Sequence, residues 1–350
     1  MSVFSDPAFD DHERVLFCRD ASTGLFAIIA VHSTALGPAA GGCRQWRYAD
    51  DAEAVHDVLR LSQGMSYKNA IAGLRFGGGK AVIIETPDFR GTEALYERFG
   101  EFVDSLGGDY ITAEDVGMTM EVMEMISRKT RYASGLPPES GKAGGDPSPK
   151  TAFGVMRGIE AAVAARLDKS DLNGVKVAVQ GVGHVGYYLC ERLHAAGASL
   201  VVADLDESRV QRVCHEFAAT SVSTDDILFQ DVDVVSPCAL GAVLDESSIP
   251  RIKARIVAGG ANNQLRTPGD GKRLTEAGIL YAPDYVINGG GIINVACEYY
   301  GDVDDNGVME LVAKIGPRLA AIFEEADRTG EPTNEIADRQ ARKIIADAGR

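Results

Sequence analysis

Two lysines and an aspartate stand at positions whose surroundings favour chemistry over simple solvation. Lys80 directly follows three glycines, at 77–79, and precedes an apolar run rich in β-branched residues. This order predicts a tight glycine turn that leads into a buried strand over 80–84. An ammonium at the mouth of such a strand loses hydration, which lowers its pKa and suits it to general-base catalysis. A solvated surface lysine is the alternative.

Lys68 is predicted on the helix that precedes this strand. Met65, Lys68 and Ala72 recur at helical spacing, so Lys68 projects from an apolar face. A cation among apolar groups favours an anionic ligand, and a small carboxylate is the obvious candidate. A solvated lysine on the helix surface is again the alternative.

Asp115 follows Glu114 at the end of a short predicted strand that begins at Tyr110. Carboxylates at the C-terminal ends of strands often belong to active sites in α/β folds. The alternative is that Asp115 caps a helix over 118–128. The local pattern leaves both interpretations open.

A glycine motif in the second half of the chain predicts a nucleotide site. A strand over 175–180 runs into GVGHVG (181–186), and after a helix the next strand, 198–203, ends at Asp204. The glycines allow a tight turn, approach of a pyrophosphate and close helix packing, while the helix N-terminus faces the phosphates. Asp204 would bind ribose hydroxyls and repel a 2′-phosphate, which favours NAD over NADP. Arg209, a cation on the following helix, is an argument against this preference for NAD.

Size and composition limit the class of protein. The 350 residues allow two domains, and the net charge of −16 disfavours a nucleic-acid partner. The N-terminal residues lack a signal-peptide pattern, and the apolar run from Leu25 to Val31 is too short to cross a bilayer. The six cysteines form no CxxC pair, and the six histidines have no metal-ligand spacing. We therefore expect a cytoplasmic protein without a membrane partner or a required metal.

The order of predicted elements indicates an α/β fold with two domains. A hairpin over 13–34, a helix that begins near Asp50 and a helix over 92–106 precede a Gly-, Pro- and Ser-rich stretch, 135–149, which is the predicted linker. Strands and helices alternate after it, as in a parallel sheet.

Seven stretches, in the same order along nearly the whole chain, resemble the Glu/Leu/Phe/Val dehydrogenase superfamily, and among its members the leucine dehydrogenases most. They are GPAAGG (37–42), GMSYKNAIAGL (64–74), GGGKAVI (77–83), TAEDVG (112–117), VQGVGHVG (179–186), GANNQL (260–265) and YAPDYVINGGGIINV (281–295).

The resemblance implies an N-terminal α/β substrate and oligomerisation domain and a Rossmann-type NAD-binding domain, with the active site in the cleft. The expected limits are 1–134, rejoined by C-terminal helices over about 326–350, and 145–325. The implied reaction is reversible, NAD-dependent oxidative deamination of an L-amino acid with an apolar side chain, such as leucine, isoleucine or valine, to the 2-oxo acid and ammonia. A homo-oligomer, from dimer to octamer, is also implied.

Site residues follow from the same resemblance. Lys80 and Asp115 match the catalytic pair, and Lys68 matches the residue that binds the substrate carboxylate. Further substrate contacts are expected at Ala40, Gly41, Met65, Ala113, Asn263, Ile292 and Val295. NAD contacts are expected at Thr151, Gly181, Gly183, His184, Val185, Gly186, Asp204 and Asn262.

One departure leaves the substrate open. Leucine dehydrogenases usually have leucine where this chain has Ala40, and phenylalanine dehydrogenases resemble the chain there, whereas 114–117 looks like the leucine enzymes. Phenylalanine is therefore the alternative substrate.

Two other functions are less consistent with the sequence. A non-catalytic NAD-binding sensor would be expected to lack Lys80 or Asp115, and both are present. A 2-hydroxy acid dehydrogenase needs an arginine and a His–acid pair, which the sequence does not offer.

Overall fold

In a computed structural model of the chain, residues 3–136, 143–239 and 241–349 are described. They form two compact units. The first is drawn from Met1–Gly145, Val295–Asp305 and Ala341–Arg350, and the second from Asp146–Asn294 and Asn306–Gln340. The predicted linker, 135–149, lies partly outside the described residues.

The two units differ from the predicted domains in the C-terminal half of the chain. The sequence predicts limits at 1–134 with 326–350, and at 145–325. Residues 295–305 belong to the first unit, because Ala296 packs with Ala40 in one apolar cluster. The chain also returns to this unit later than expected, close to Arg342, whose Nε donates to the hydroxyl of Tyr67 at 2.7 Å. The assignment of functions to the units stays a prediction.

The first unit is built on a mixed six-stranded sheet. In chain order its elements are β1 (Arg14–Asp20), β2 (Leu25–Ser33), β3 (Ala39–Ala40), β4 (Cys43–Trp46), α1 (Asp51–Ala72), β5 (Gly77–Ile84), α2 (Glu93–Asp104), β6 (Tyr110–Ile111) and α3 (Met120–Ser127). The sheet order is β1-β2-β5-β3-β6, and β4 also pairs with β5. The predicted hairpin is confirmed as the antiparallel pair β1 and β2.

Opposite faces of this sheet are covered by different helices, because successive side chains of a strand point to opposite sides. Ile28 and Val82 pack in one cluster with Val58 of α1. The next residue of β2, Ile29, packs in another cluster with Phe99 of α2. The strands are therefore apolar on both faces, and β5 holds its position between two helical layers.

The glycines at 77–79 begin strand β5, so the predicted turn at this point is wrong. A Cβ on Gly78 would lie 2.1 Å from the backbone nitrogen of Ser66 on α1. Glycine is needed here because the helix backbone approaches the strand too closely for any side chain. Lys80 thus extends from a strand that is packed tightly against α1.

The second unit contains a parallel sheet between helices. Its elements are α4 (Ser148–Leu167), β7 (Lys176–Gln180), α5 (His184–Ala195), β8 (Ser199–Ala203), α6 (Glu207–Phe217), β9 (Thr220–Ser221), β10 (Val234–Pro237), β11 (Ile256–Val257), α7 (Gly269–Glu276), β12 (Leu280–Tyr281), α8 (Asp284–Ile287), α9 (Gly290–Tyr300), α10 (Asp305–Ala313), α11 (Ile315–Thr329) and α12 (Thr333–Ala348). Helices α9 and α12 begin in this unit and end in the first.

The sheet order of this unit is β12-β11-β10-β7-β8-β9, and all five pairs are parallel. Read from β7 as the first strand, this is the 3-2-1-4-5-6 order of a Rossmann-type fold, which confirms the predicted class. The order reverses between β7 and β10, where such folds bind ligands beyond the carboxyl ends of the strands. Gly181 and Cys238 directly follow these two strands.

The structure also shows the state of the cysteines, the arrangement of potential metal ligands and the character of the helices. All six cysteines are free thiols. Within the described residues, no group of three or more His, Cys, Asp or Glu is arranged to hold a metal ion. Of the helices in this same part of the chain, none is both long and apolar enough to cross a bilayer.

Candidate active site

Lys80 and Asp115 form an ion pair in the first unit. Lys80 lies on β5, whose next residue, Ala81, pairs in parallel with Cys43 of β4. Cys43 also forms a β-bridge with Glu114, so backbone pairing brings Asp115 next to Lys80. Nζ of Lys80 donates to Oδ2 of Asp115 at 2.6 Å. The sequence predicts both residues as site residues but not their contact.

The surroundings of Asp115 favour its charged form. Burial raises the pKa of the Asp115 carboxyl, but the Lys80 ammonium, and after it the Arg44 guanidinium, outweigh burial and hold the pKa below its usual range. The side chain of Lys80 is 6% exposed and that of Asp115 is 23% exposed. The site therefore holds a carboxylate at neutral pH, directly against a buried amine.

The helix-cap alternative for Asp115 is wrong. Thr119 is the N-cap of α3, and its hydroxyl accepts a hydrogen bond from the backbone nitrogen of Val122. In the preceding turn the carbonyl of Asp115 accepts from the nitrogen of Met118, and its carboxylate does not cap the helix. The Asp115 side chain is left to contact Lys80.

Apolar residues predicted to meet the substrate lie around the same strands. A Cβ on Gly41 would lie 3.0 Å from Cγ of Met65, so the methionine side chain covers this glycine. Ala40 is 2% exposed and packs in one cluster with Ile111. Ala113 is also buried.

Lys68 and Val295 lie on helices, at positions that belong to the first unit. Lys68 is half-buried and lies on α1, three residues after Met65. Val295 lies on α9 and is also half-buried. Its neighbour Ala296 packs in the cluster that contains Ala40. The substrate contacts of these residues stay predictions.

Arg44 is a contact of Asp115 that the sequence interpretation missed. Its Nε donates to Oδ2 of Asp115 at 3.3 Å, and its Nη1 donates to Oδ2 of Asp57 at 3.0 Å. One signal is present in the sequence: Arg44 follows the small residues of 37–42 by only two positions. Local pattern alone does not distinguish such an arginine from a solvated one.

The GVGHVG motif of the second unit has the predicted turn geometry. Gly181 has a φ of +88°, and a Cβ on Gly186 would lie 2.0 Å from the carbonyl oxygen of Gly181. Gly183 is the N-cap of α5, and it supplies no side-chain cap. A Cβ on Gly183 would approach no atom more closely than Nη1 of Arg209, at 3.6 Å. The fold itself does not need glycine there, so the open position fits a phosphate at the helix N-terminus.

A cavity of about 280 Å³ adjoins this helix N-terminus and is lined by Val182, Gly183, His184, Tyr187, Tyr188 and Arg209, together with Arg212. Asp204 lies beside the motif. Its Oδ2 accepts from the nitrogen of Val182 at 2.8 Å, and its Oδ1 accepts from the nitrogen of Asp206 at 2.9 Å. The half-buried carboxylate is thus oriented by the backbone on both sides.

Asn262 and Asn263 lie in an exposed turn that follows β11. Asn263 has a positive φ of 53°, a conformation that asparagine adopts more readily than most residues. The Oδ1 atom of Asn262 accepts from Nδ2 of Asn288 at 2.7 Å, so Asn288 sets the orientation of the Asn262 amide. Asn288 is a second residue that the sequence interpretation missed.

Thr151, Val185 and Ile292 also belong to the second unit. A Cβ on Gly291 would lie 3.0 Å from Oγ1 of Thr151, and one on Gly260 would lie 3.2 Å from Cγ1 of Val185. Ile292 follows Gly291 on α9 and is half-buried. These glycines let the helices and loops around the candidate cofactor residues approach one another closely.

Comparison with known proteins decides the family. Residues 12–132 match the dimerisation domain of Glu/Leu/Phe/Val dehydrogenases, and residues 201–327 match the Glutamate/Leucine/Phenylalanine/Valine dehydrogenase domain. The chain belongs to the Glu/Leu/Phe/Val dehydrogenase family. The resemblance predicted from the seven motifs is therefore confirmed.

Full-length relatives support the same assignment. The chain is 47% identical to leucine dehydrogenase of Geobacillus stearothermophilus over 345 residues, which cover 99% of this chain and 94% of the relative. It is also 47% identical to valine dehydrogenase of Streptomyces virginiae, over 96% of this chain and 94% of the relative. The crystal structure of L-tryptophan dehydrogenase from Nostoc punctiforme matches with a TM-score of 0.85 and 43% identity, covering 96% of each chain.

Membership of the family establishes the class of reaction. The protein is an amino-acid dehydrogenase that carries out oxidative deamination and uses a nicotinamide cofactor. The open Gly183 and the uncapped N-terminus of α5 fit the pyrophosphate of such a cofactor. The residue assignments at both sites stay predictions.

Proposed function

We propose that the protein oxidises L-leucine, L-isoleucine and L-valine with NAD⁺ to the 2-oxo acid and ammonia, and that it catalyses the reverse reaction. The observation that supports this proposal most is the partly buried Lys80–Asp115 pair beside apolar residues. A Cβ on Gly42 would lie 2.8 Å from Cβ of Asp115, so the small residues of this loop run directly beside the pair. A charged substrate side chain would find no stabilising partner among Ala40, Gly41, Met65 and Ala113.

In this proposal each polar residue has one role. Lys68 binds the substrate carboxylate. Asp115 orients the amino group and takes a proton from it. The nicotinamide cofactor, when bound, supplies the acceptor for the hydride that leaves the substrate Cα. Once it has given up its own proton, Lys80 acts as the general base that takes a proton from the water attacking the iminium carbon, and the carbinolamine so formed collapses to ammonia and the 2-oxo acid.

An aromatic substrate is the second candidate, and Ala40 is the observation that favours it. The small side chain leaves more space than the leucine that leucine dehydrogenases usually carry there. A relative of known structure is named as a tryptophan dehydrogenase. We still propose the branched-chain substrates, because Ile292 and Val295 are bulky and branched, like the matching residues of leucine enzymes.

The proposal is tested by following NADH formation with a panel of L-amino acids at alkaline pH. We expect the highest kcat/KM with leucine, isoleucine and valine, a lower but measurable value with phenylalanine, and very little activity with glutamate. No NADH with any L-amino acid would contradict the proposed reaction. A preference for glutamate would contradict only the proposed specificity.

Replacing Ala40 by leucine is expected to lower kcat/KM for phenylalanine more than for valine. The added carbons take up space in an apolar pocket, where each methylene changes binding by about 1–3 kcal/mol. The ratio of the two kcat/KM values is the proper measurement, since it does not depend on how much of the variant is folded. A phenylalanine value that rises, or stays level relative to valine, would place Ala40 outside the pocket.

We further propose NAD rather than NADP as the cofactor. Asp204 directly follows β8, the place from which an acid in this kind of fold binds the ribose hydroxyls, so its carboxylate would repel a 2′-phosphate. The counter-argument from Arg209 is weakened, because its Nε forms an ion pair with Oδ2 of Asp206 at 3.2 Å. The guanidinium is therefore partly neutralised by a neighbouring acid.

The expected preference of the wild type is about 100-fold or more in kcat/KM for NAD⁺ over NADP⁺, since a site built for the ribose hydroxyls rejects an analogue that cannot use them. Asp204→Ser should narrow this ratio through a gain with NADP⁺ and a loss with NAD⁺. Glu207→Gln is the matched control, because it removes a nearby acid that is exposed on α6. Equal kcat/KM values for the two cofactors in the wild type would contradict the proposal.

We also propose a homo-oligomer, because residues 12–132 match a domain described as a dimerisation domain. Its size, between dimer and octamer, and the cytoplasmic location stay predictions from the sequence.

A further inference from the structure

Arg44 joins two carboxylates that lie on different elements of the first unit. It extends from β4, and its guanidinium contacts Asp115 through Nε at 3.3 Å and Asp57 of α1 through Nη1 at 3.0 Å. The side chains of Arg44, Asp57 and Asp115 are 22%, 14% and 23% exposed. The guanidinium is thus held in a partly buried position by an acid on each side.

Asp57 is itself held by three donors. Its Oδ2 accepts from Arg44 and from the hydroxyl of Tyr48 at 2.9 Å. Its Oδ1 accepts from Nη2 of Arg60 at 2.8 Å. A carboxylate with this many partners has little freedom to rotate, so it can fix the plane of the Arg44 fork.

We propose that Arg44 is a positioning residue for Asp115 and that Asp57 anchors Arg44 in the required orientation. This inference rests on the proposed role of the Lys80–Asp115 pair. Arg44 and Lys80 both donate to the same oxygen, Oδ2 of Asp115. Two cations on one oxygen, together with a hydrogen bond from the backbone of Val116, fix the orientation in which the carboxylate would meet the substrate amino group.

The charges around Asp115 determine what the loss of Arg44 should do. Lys80 faces the carboxylate from β5 and Arg44 faces it from β4, while Cys43 and Tyr110 are buried nearby with thiol and phenol pKa values raised, chiefly by burial. Removal of the guanidinium takes away one of two cations that lower the pKa of Asp115. That pKa should then rise. Since Asp115 works as a carboxylate, the acid limb of the kcat/KM profile should move to higher pH.

Loss of Asp57 has a different expected effect. Its removal frees Arg44 from its anchor, which should reduce kcat. It also removes an anion from the neighbourhood of Asp115, an effect that by itself lowers the pKa of that carboxyl and opposes any rise caused by the freer Arg44. A lower kcat without an upward shift of the acid limb is therefore the expected signature of Asp57→Asn.

The experiment compares wild type, Arg44→Gln, Arg44→Lys, Asp57→Asn, Arg60→Gln and Lys129→Gln in kcat and in kcat/KM against pH, with NADH affinity and thermal melting as checks of folding. For Arg44→Gln we expect kcat to fall about 10- to 100-fold, by analogy with the loss seen when a residue that orients a metal ligand is removed. The acid limb should rise by about one pH unit or more. Arg60→Gln removes one of the three donors that hold Asp57 and does not touch Asp115, so we expect a smaller loss of kcat than in Asp57→Asn and no shift of the acid limb. Lys129→Gln is the matched control: it removes an exposed cation of the same unit that pairs with Glu97, and wild-type values are expected.

Arg44→Lys keeps a cation but loses the planar fork that reaches both acids. We expect a reduced kcat with a smaller shift of the acid limb than in Arg44→Gln. If Arg44→Gln does not fold, Arg44→Lys becomes the variant that tests the proposal. Wild-type kcat in Arg44→Lys would then overturn the proposal.

A measurement that does not depend on catalytic turnover tests this inference independently of the proposed function. The Asp115 carboxyl can be titrated by ¹³C NMR with labelled aspartate, its resonance being assigned by its disappearance in Asp115→Asn. An upward shift in folded Arg44→Gln supports the inference, and an unchanged titration overturns it. If the shift occurs but the wild type forms no NADH with any L-amino acid, only the proposed function has failed.

Discussion

Replacing Lys80 by alanine is expected to lower kcat by about 10²–10⁴-fold, the usual contribution of a positioned general acid or base. The variant removes the amine that lies 2.6 Å from Asp115 and leaves the nucleotide-binding motif of the second unit unchanged. NADH affinity should therefore persist. Steady-state kinetics with leucine and a fluorescence titration with NADH measure the two effects.

Lys129→Ala is the matched control for this variant. Lys129 belongs to the same unit and also pairs with an acid, Glu97, at 3.2 Å, but its side chain is 38% exposed. A surface pair of this kind contributes little, so wild-type kcat is expected. If Lys80→Ala kept a substantial fraction of wild-type kcat, the assignment of Lys80 as the base would be wrong.

Replacing Gly78 by alanine is expected to reduce both stability and activity. Its Cβ would lie 2.1 Å from the nitrogen and from Oγ of Ser66, so β5 and α1 would have to separate. Overpacking of this kind costs about 1–3 kcal/mol of folding free energy, or more where backbone must move. Because β5 carries Lys80 and α1 carries Lys68, kcat and KM should both change. Denaturant unfolding and steady-state kinetics measure these effects.

Gly64→Ala is the matched control on the same helix. No atom lies within 4 Å of a Cβ placed on Gly64. A glycine in a helix interior costs roughly 0.5–1 kcal/mol relative to alanine, so this variant should be slightly more stable and fully active. A Gly78→Ala protein with wild-type stability would show that the strand and the helix are less tightly packed than the structure indicates.

Local patterns in the sequence were sufficient to predict the glycine-rich turn of the second unit. GVGHVG between a strand and a helix predicts a nucleotide turn, and the structure has that turn, with Gly181 at positive φ. Such a site is built within one βαβ unit, from residues close together in the chain. The hairpin of β1 and β2 was predictable for the same reason, since the pairing is local.

The candidate site of the first unit was harder to predict, because it is assembled from segments that are far apart in the chain. Sequence patterns made Lys80 and Asp115 separate candidates, but their contact depends on parallel pairing of β4 with β5 and on the bridge from Cys43 to Glu114. Register between strands is set by tertiary packing and cannot be read from any single strand.

The sequence by itself determined the fold class, the family and the identity of the two candidate sites. Tertiary structure alone decided three things: the glycines at 77–79 form strand instead of turn, Arg44 shares Asp115 with Lys80, and residues 295–305 join the first unit. The physical reason is the same in each case. Close backbone approach, shared ion pairs and packing between distant segments depend on residues far apart in the chain, and no local period or motif encodes them.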